Sequence, residues 1–114
     1  MAGFIKGDIV ILPFPFSDLS ASKRRPAVVV AALEGNDVIL CQITSQTVRD
    51  HYALPVSDQD FVSGGLKQAS NIRPNRIFTA DSRIVLYSAG RLSKDKIAQL
   101  VEAVVSIIRA DSKC

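Results

Sequence analysis

Ala27-Val28-Val29-Val30-Ala31-Ala32-Leu33, then Glu34-Gly35-Asn36-Asp37, then Val38-Ile39-Leu40-Cys41-Gln42-Ile43 is the stretch that decides the fold. Two apolar runs rich in β-branched residues flank four turn-forming residues, and this pattern predicts an antiparallel hairpin. Upstream, Gly7-Asp8 opens Ile9-Val10-Ile11-Leu12, a buried strand expected to stop at Pro13 and Pro15. Residues 17–25 are polar and end in Lys23-Arg24-Arg25, so they read as an exposed loop, with Pro26 starting the next strand.

Downstream the pattern is less regular. Tyr52-Ala53-Leu54-Pro55-Val56 reads as an edge strand and Gly64-Gly65 as a turn. Asn71-Ile72-Arg73 and Arg76-Ile77-Phe78-Thr79-Ala80 read as two short strands interrupted by Pro74, and residues 84–92 as a bent strand or a short helix. The last element is the clearest helix. Ser93 is an expected N-cap, Asp95 complements the helix dipole, and Ile97, Leu100, Val101, Val104 and Ile108 fall at helical spacing. Val105 and Ile107 widen the apolar stripe, which suggests either a second buried surface, such as a homodimer contact, or a helix sunk in its own core. Together these elements predict a mainly β fold, a small bent antiparallel sheet or barrel with one C-terminal α-helix.

The 114 residues suit one domain, 1–114, and 47% apolar with 22% charged residues is a globular composition. Cys41 and Cys114 form no disulfide or zinc spacing, and a single histidine, His51, builds no multi-histidine metal site. No cofactor is implied. Without a signal-peptide pattern or a long apolar run, the expectation is a cytoplasmic protein without a membrane span. The net charge of +3 lies in the second half, since residues 1–57 balance five cations against five anions. Eight of the 14 cations are arginine, the side chain suited to holding phosphate, so an anionic partner fits.

No nucleophile elbow and no phosphate loop are present, and His51 sits in a polar stretch as an exposed loop residue. Cys41 reads as a small core residue. The hairpin itself yields the candidate site. If residues 27–33 pair with 38–43, Arg25 and Thr44 fall together at its open end, with Lys23 and Arg24 before and Ser45 and Gln46 after. A guanidinium and a hydroxyl at one strand end make a phosphate site; an exposed arginine beside a Thr/Ser strand end fits the same pattern. Phe14 and Phe16, with Tyr52 behind them, are candidates for stacking unpaired bases, and equally for core packing at a strand end.

Several ordered segments together resemble the MazF/PemK toxin family. These are Gly7-Asp8-Ile9-Val10, Phe14-Pro15-Phe16-Ser17-Asp18, Arg25-Pro26-Ala27 and Ile43-Thr44-Ser45-Gln46. The likeness continues through Gly65-Leu66-Lys67, residues 76–81 and Gly90-Arg91-Leu92-Ser93. The resemblance implies an SH3-like barrel with a C-terminal helix, a homodimer, and the toxin half of a type II toxin–antitoxin pair. It implies an endoribonuclease, an mRNA interferase that cleaves single-stranded RNA without metal and leaves a 2′,3′-cyclic phosphate and a 5′-hydroxyl. A cognate antitoxin with a disordered acidic tail is the implied inhibitor. By position the family's functional arginine and threonine correspond to Arg25 and Thr44, and a second arginine in some members to Arg73, with Arg76 as substitute. Those members carry a carboxylate two residues after that arginine, where this chain has Asn75, and some carry a loop histidine that is missing here. A general base is therefore unassigned. A same-fold toxin that poisons DNA gyrase and a non-catalytic SH3-like RNA- or peptide-binding module are the other readings.

Overall fold

The structure is a computed structural model that describes residues 3–15 and 22–111. Phe16, the segment 17–21 and Cys114 lie outside the described residues. The described residues form seven strands: β1 Asp8–Pro15, β2 Ser22–Ala32, β3 Asp37–Thr44, β4 Leu54–Val56, β5 Phe61–Gly64, β6 Ser70–Asp81 and β7 Tyr87–Leu92. They form one antiparallel sheet in the order β4-β6-β3-β2-β1-β7-β5, followed by the helix α1, Lys94–Arg109. The expected mainly β architecture with a C-terminal helix is therefore observed.

The β2–β3 hairpin forms where the turn residues predict it. Leu33 N–H donates to Asp37 O at 3.0 Å, and Gly35 adopts φ 74°, a conformation that costs glycine little. Pairing runs from Ala32 opposite Val38 to Ala27 opposite Gln42, with a bulge between Val29 and Ala31.

Three expectations are corrected. β1 does not stop at Pro13 but continues to Pro15. Its pairing with β7 ends at Ile11, so both prolines pair with β2 alone, and a missing N–H costs little on an open side. β2 likewise begins at Ser22, not at Pro26, so Lys23, Arg24 and Arg25 lie in the strand and not in a loop. Pro26 is tolerated because it faces Ile11 on one side only; the β3 ladder starts at Ala27. Residues 70–81 form one strand in place of two. Its register against β3 jumps from Ile77 opposite Cys41 to Arg73 opposite Gln42, so Pro74, Asn75 and Arg76 bulge out of the ladder.

The alternation of side chains gives the sheet two buried faces. One joins Ile9, Val28, Cys41, Ile43, Val56 and Ile72 to Leu92, Leu100 and Val104 of the helix side. The other joins Val10, Leu12, Ala27, Val29, Val38 and Leu40, with Phe14 and Phe78 packed against it. The helix is capped as expected, Ser93 Oγ accepting the Lys96 N–H at 3.2 Å, and Asp95 lies in its first turn. Leu100 and Val104 are buried, but Ile108 is 68% exposed, so the stripe leaves the core one turn before the helix ends. At the other end of the sheet, Asp8 accepts Arg91 Nε at 2.8 Å and the Ile5 N–H at 2.9 Å, which ties the start of β1 to β7. Burial raises the Cys41 thiol to about 12, as suits an inert core residue.

Candidate nucleic-acid interface

Strand register decides which side chains share a face. Leu12 faces Arg25 and Phe14 faces Lys23 across β1–β2, while Gln42 faces Arg73 and Thr44 faces Asn71 across β3–β6. Leu12, Ala27 and Leu40 belong to the second core, away from the helix. With a side-chain period of two, Arg25, Gln42, Thr44, Asn71 and Arg73 therefore continue that same face past the end of its apolar cluster. The β2–β3 ladder ends at Ala27 opposite Gln42, and Arg25 and Thr44 each lie two residues beyond that last pair, on its face. The open end of the hairpin thus carries two guanidiniums and a hydroxyl on one face.

Arg25 and Thr44 are half-buried. Thr44 Oγ1 accepts the Gln46 N–H at 3.1 Å, a local turn that leaves its own O–H as a donor. Arg73 is held by Asp50 of the β3–β4 connection: Arg73 Nη2 donates to Asp50 Oδ2 at 2.9 Å. Asn75 Nδ2 reaches the same oxygen at 3.4 Å, and Oδ1 accepts the Tyr52 N–H at 3.0 Å. Arg73 Nε is buried and meets no acceptor among the described residues. Partial desolvation pushes the Asp50 carboxyl up, but the Arg73, Tyr52 and Asn75 hydrogen bonds and the Arg73 charge outweigh it and hold it below its ordinary value.

The other predicted residues scatter around this face. Phe14 is half-buried and meets Phe78 edge to face, with ring centroids 5.2 Å apart. Lys23, Arg24 and Arg76 are exposed, Arg24 opposite Pro13 on the other side of β2 and Arg76 in the β6 bulge. Ser45 and Gln46 line a groove of about 620 Å³ with Ser57, Ser70, Asn71 and Lys96. In it Lys96 is 9% exposed and donates to Pro55 O at 2.9 Å, with Asp60 Oδ2 at 3.7 Å. Tyr52 is exposed and lies against His51, centroids 4.2 Å apart. Among the described residues no three His, Cys, Asp or Glu side chains converge as a metal-binding group, and no helix is long and apolar enough to cross a membrane.

Sequence reasoning missed Asp50, which sits in an irregular connection with no period to mark its direction. Asn75, two residues beyond Arg73, was the one visible signal of that cluster.

Comparison with known proteins gives the fold a context. A toxin of Mycobacterium tuberculosis, MazF-mt6, superposes with a TM-score of 0.70 at 19% identity, over 92% of this chain and 99% of that one. The MazE–MazF structure (form II) of Deinococcus radiodurans superposes with a TM-score of 0.73 at 16% identity, over 97% of this chain and 100% of that one. An endoribonuclease from a mycobacterial species, solved with its cognate antitoxin, gives 0.71 at 9% identity, over 97% and 100%. At these identities the likeness speaks for the fold alone. A sequence search of curated proteins gave no match. A family model does match, across residues 5–108, nearly the whole sheet and helix. The chain belongs to the PemK-like, MazF-like toxins of type II toxin–antitoxin systems.

Proposed function

We propose that this toxin is a metal-independent endoribonuclease that cuts single-stranded RNA at the face shared by Arg25 and Thr44. The observation that supports the reading is the register: Arg25 and Thr44 each lie two residues beyond the last β2–β3 pair on one face, which Arg73 shares through its pairing with Gln42. In the reaction the ribose 2′-oxygen forms a bond to the adjacent phosphorus and loses its proton. The P–O5′ bond breaks, and the departing 5′-oxygen takes up a proton. The products are a 2′,3′-cyclic phosphate and a 5′-hydroxyl. Negative charge grows on the phosphorane oxygens, and donors fixed around them stabilise a charge that the ground state lacks. Arg25 is the electrostatic clamp, since a guanidinium stays protonated at any working pH. Thr44, whose Oγ1 accepts the Gln46 N–H, donates its O–H to a phosphate oxygen. The need for a 2′-hydroxyl distinguishes RNA from DNA.

Exposed Lys23, on the Arg25 face of β2, and Arg76, in the β6 bulge, extend the cationic surface along which an RNA strand, or the acidic tail of a cognate antitoxin, would run. Ile84, Leu86 and Tyr87, 45%, 47% and 54% exposed, supply apolar surface for a homodimer. The test is incubation of the purified protein with a mixed single-stranded RNA in excess EDTA. Cleavage that persists in the chelator and disappears in Arg25→Ala is expected; cleavage only on addition of a divalent metal, or none at all, overturns the reading.

A further inference from the structure

We propose that Asp50 is the positioning residue of Arg73, a carboxylate brought from the β3–β4 connection to fix that guanidinium on the face of Arg25 and Thr44. Both carboxylate oxygens are committed. Oδ1 closes a turn on the Tyr52 N–H at 3.0 Å, which fixes the direction of the carboxylate from its own loop. Oδ2 takes Arg73 Nη2 at 2.9 Å and lies 3.4 Å from Asn75 Nδ2. The Asn75 amide stands in the β6 bulge, so Asp50 also fastens that bulge to the connection.

A long arginine side chain loses much rotamer freedom when it is held, and a charge-assisted bond to a prefixed carboxylate supplies the restraint before substrate arrives. The pair holds Arg73 by one nitrogen, not by a two-pronged fork, and the Arg73 side chain keeps 21% of its surface exposed. With Nε buried, the Nη donors not spent on Asp50 are the ones that would meet an RNA phosphate. Asp50 acts through Arg73 and touches no reacting atom. Its carboxyl is held below its ordinary value, so the restraint is charged across the neutral range. β6 carries no carboxylate beside Arg73: the position two residues on is Asn75, and Asp81 lies at the far end of the strand.

This proposal rests on the ribonuclease reading for its kinetic test but not for its structural one. Wild type, Asp50→Asn, Arg73→Ala and the double variant are compared for cleavage of single-stranded RNA, and the Arg73 guanidinium is followed by ¹⁵N NMR in wild type and Asp50→Asn. Asp50→Asn is expected to lower kcat roughly ten- to a hundredfold with KM changed less than about threefold, and to cost less than about threefold once Arg73 is gone. Asp50→Glu is expected to recover part of the loss, and the Arg73 Nη protons to exchange faster in Asp50→Asn. Equal losses in both backgrounds would assign Asp50 to loop integrity alone and overturn the proposal. Unchanged Arg73 signals, or cleavage by Asp50→Asn as fast as wild type or faster, would overturn it too. If wild type cuts no RNA, the ribonuclease reading fails by itself. The coupling is then read from affinity for a 2′-deoxy oligonucleotide across the same four proteins, where additive effects sink the proposal and non-additive ones sustain it.

Discussion

Thr44 closes β3 with its Oγ1 accepting the Gln46 N–H, and its O–H is the donor that the proposed reaction directs at a phosphate oxygen. Thr44→Ala and Arg25→Ala are each expected to slow RNA cleavage about a hundred- to a thousandfold, measured by single-turnover kinetics. Thr44→Ser, which keeps the hydroxyl, should retain most of the activity. Melting temperatures near wild type in all three would separate chemistry from folding. Cys41 makes the contrasting case of a reactive residue type withdrawn from solvent. It is fully buried and its thiol is raised to about 12, so alkylation followed by mass spectrometry should leave it unmodified until denaturant is added. That Arg25 and Thr44 lie toward one end of the hairpin follows from hairpin arithmetic, whereas Arg73 is singled out by the family resemblance alone. Asp50 was not legible, because its partner, Arg73, lies 23 residues away and is reached from a connection whose path no periodicity encodes.

The hairpin and the helix were read correctly because each rests on local signals: Gly35 in the turn, Ser93 at the cap, Leu100 and Val104 at helical spacing. The errors came from prolines. Pro13, Pro26 and Pro74 look like strand breakers in a string of letters, yet each lies where a ladder has one open side or a bulge, and that depends on neighbours distant in sequence. β5 was missed for a related reason. It is four residues long and joins the sheet only through β7, where Gly64 faces Gly90 at close approach. A Cβ on Gly90 would stand 2.5 Å from Ser63 O and 3.0 Å from Gly64 Cα, whereas one on Gly35 meets nothing within 4 Å. Gly90→Ala should therefore cost more stability in urea titration than Gly35→Ala, which strains only its own φ by about 1 kcal/mol. Ser93→Ala should cost about 1 kcal/mol through the lost cap.

Across the whole molecule, acid response follows from carboxylates held low. Paired with Arg83, Asp81 is lowered to about 2, and Asp50 is lowered by its own partners despite its desolvation. A depressed folded-state value adds stability above the unfolded value of about 4, and that stability is lost as pH falls through the folded value. Melting temperature should thus hold steady above roughly pH 5 and fall between about pH 4 and 2, less steeply in Asp81→Asn. Cys41 has the opposite sign, its contribution fading as pH climbs from the ordinary thiol value toward about 12. The net charge of +3 says little by itself; the proposed reaction uses Arg25 at the β2 end, Arg73 opposite Gln42 and Arg76 in the β6 bulge. In the proposed reaction the RNA's own 2′-hydroxyl is the nucleophile at that end. The most direct test is a single-stranded RNA carrying one 2′-deoxy substitution at a mapped cleavage position. Loss of cutting at that position alone, with 2′,3′-cyclic phosphate and 5′-hydroxyl ends elsewhere, is the predicted result; continued cutting there, or a 3′-hydroxyl product, would contradict it.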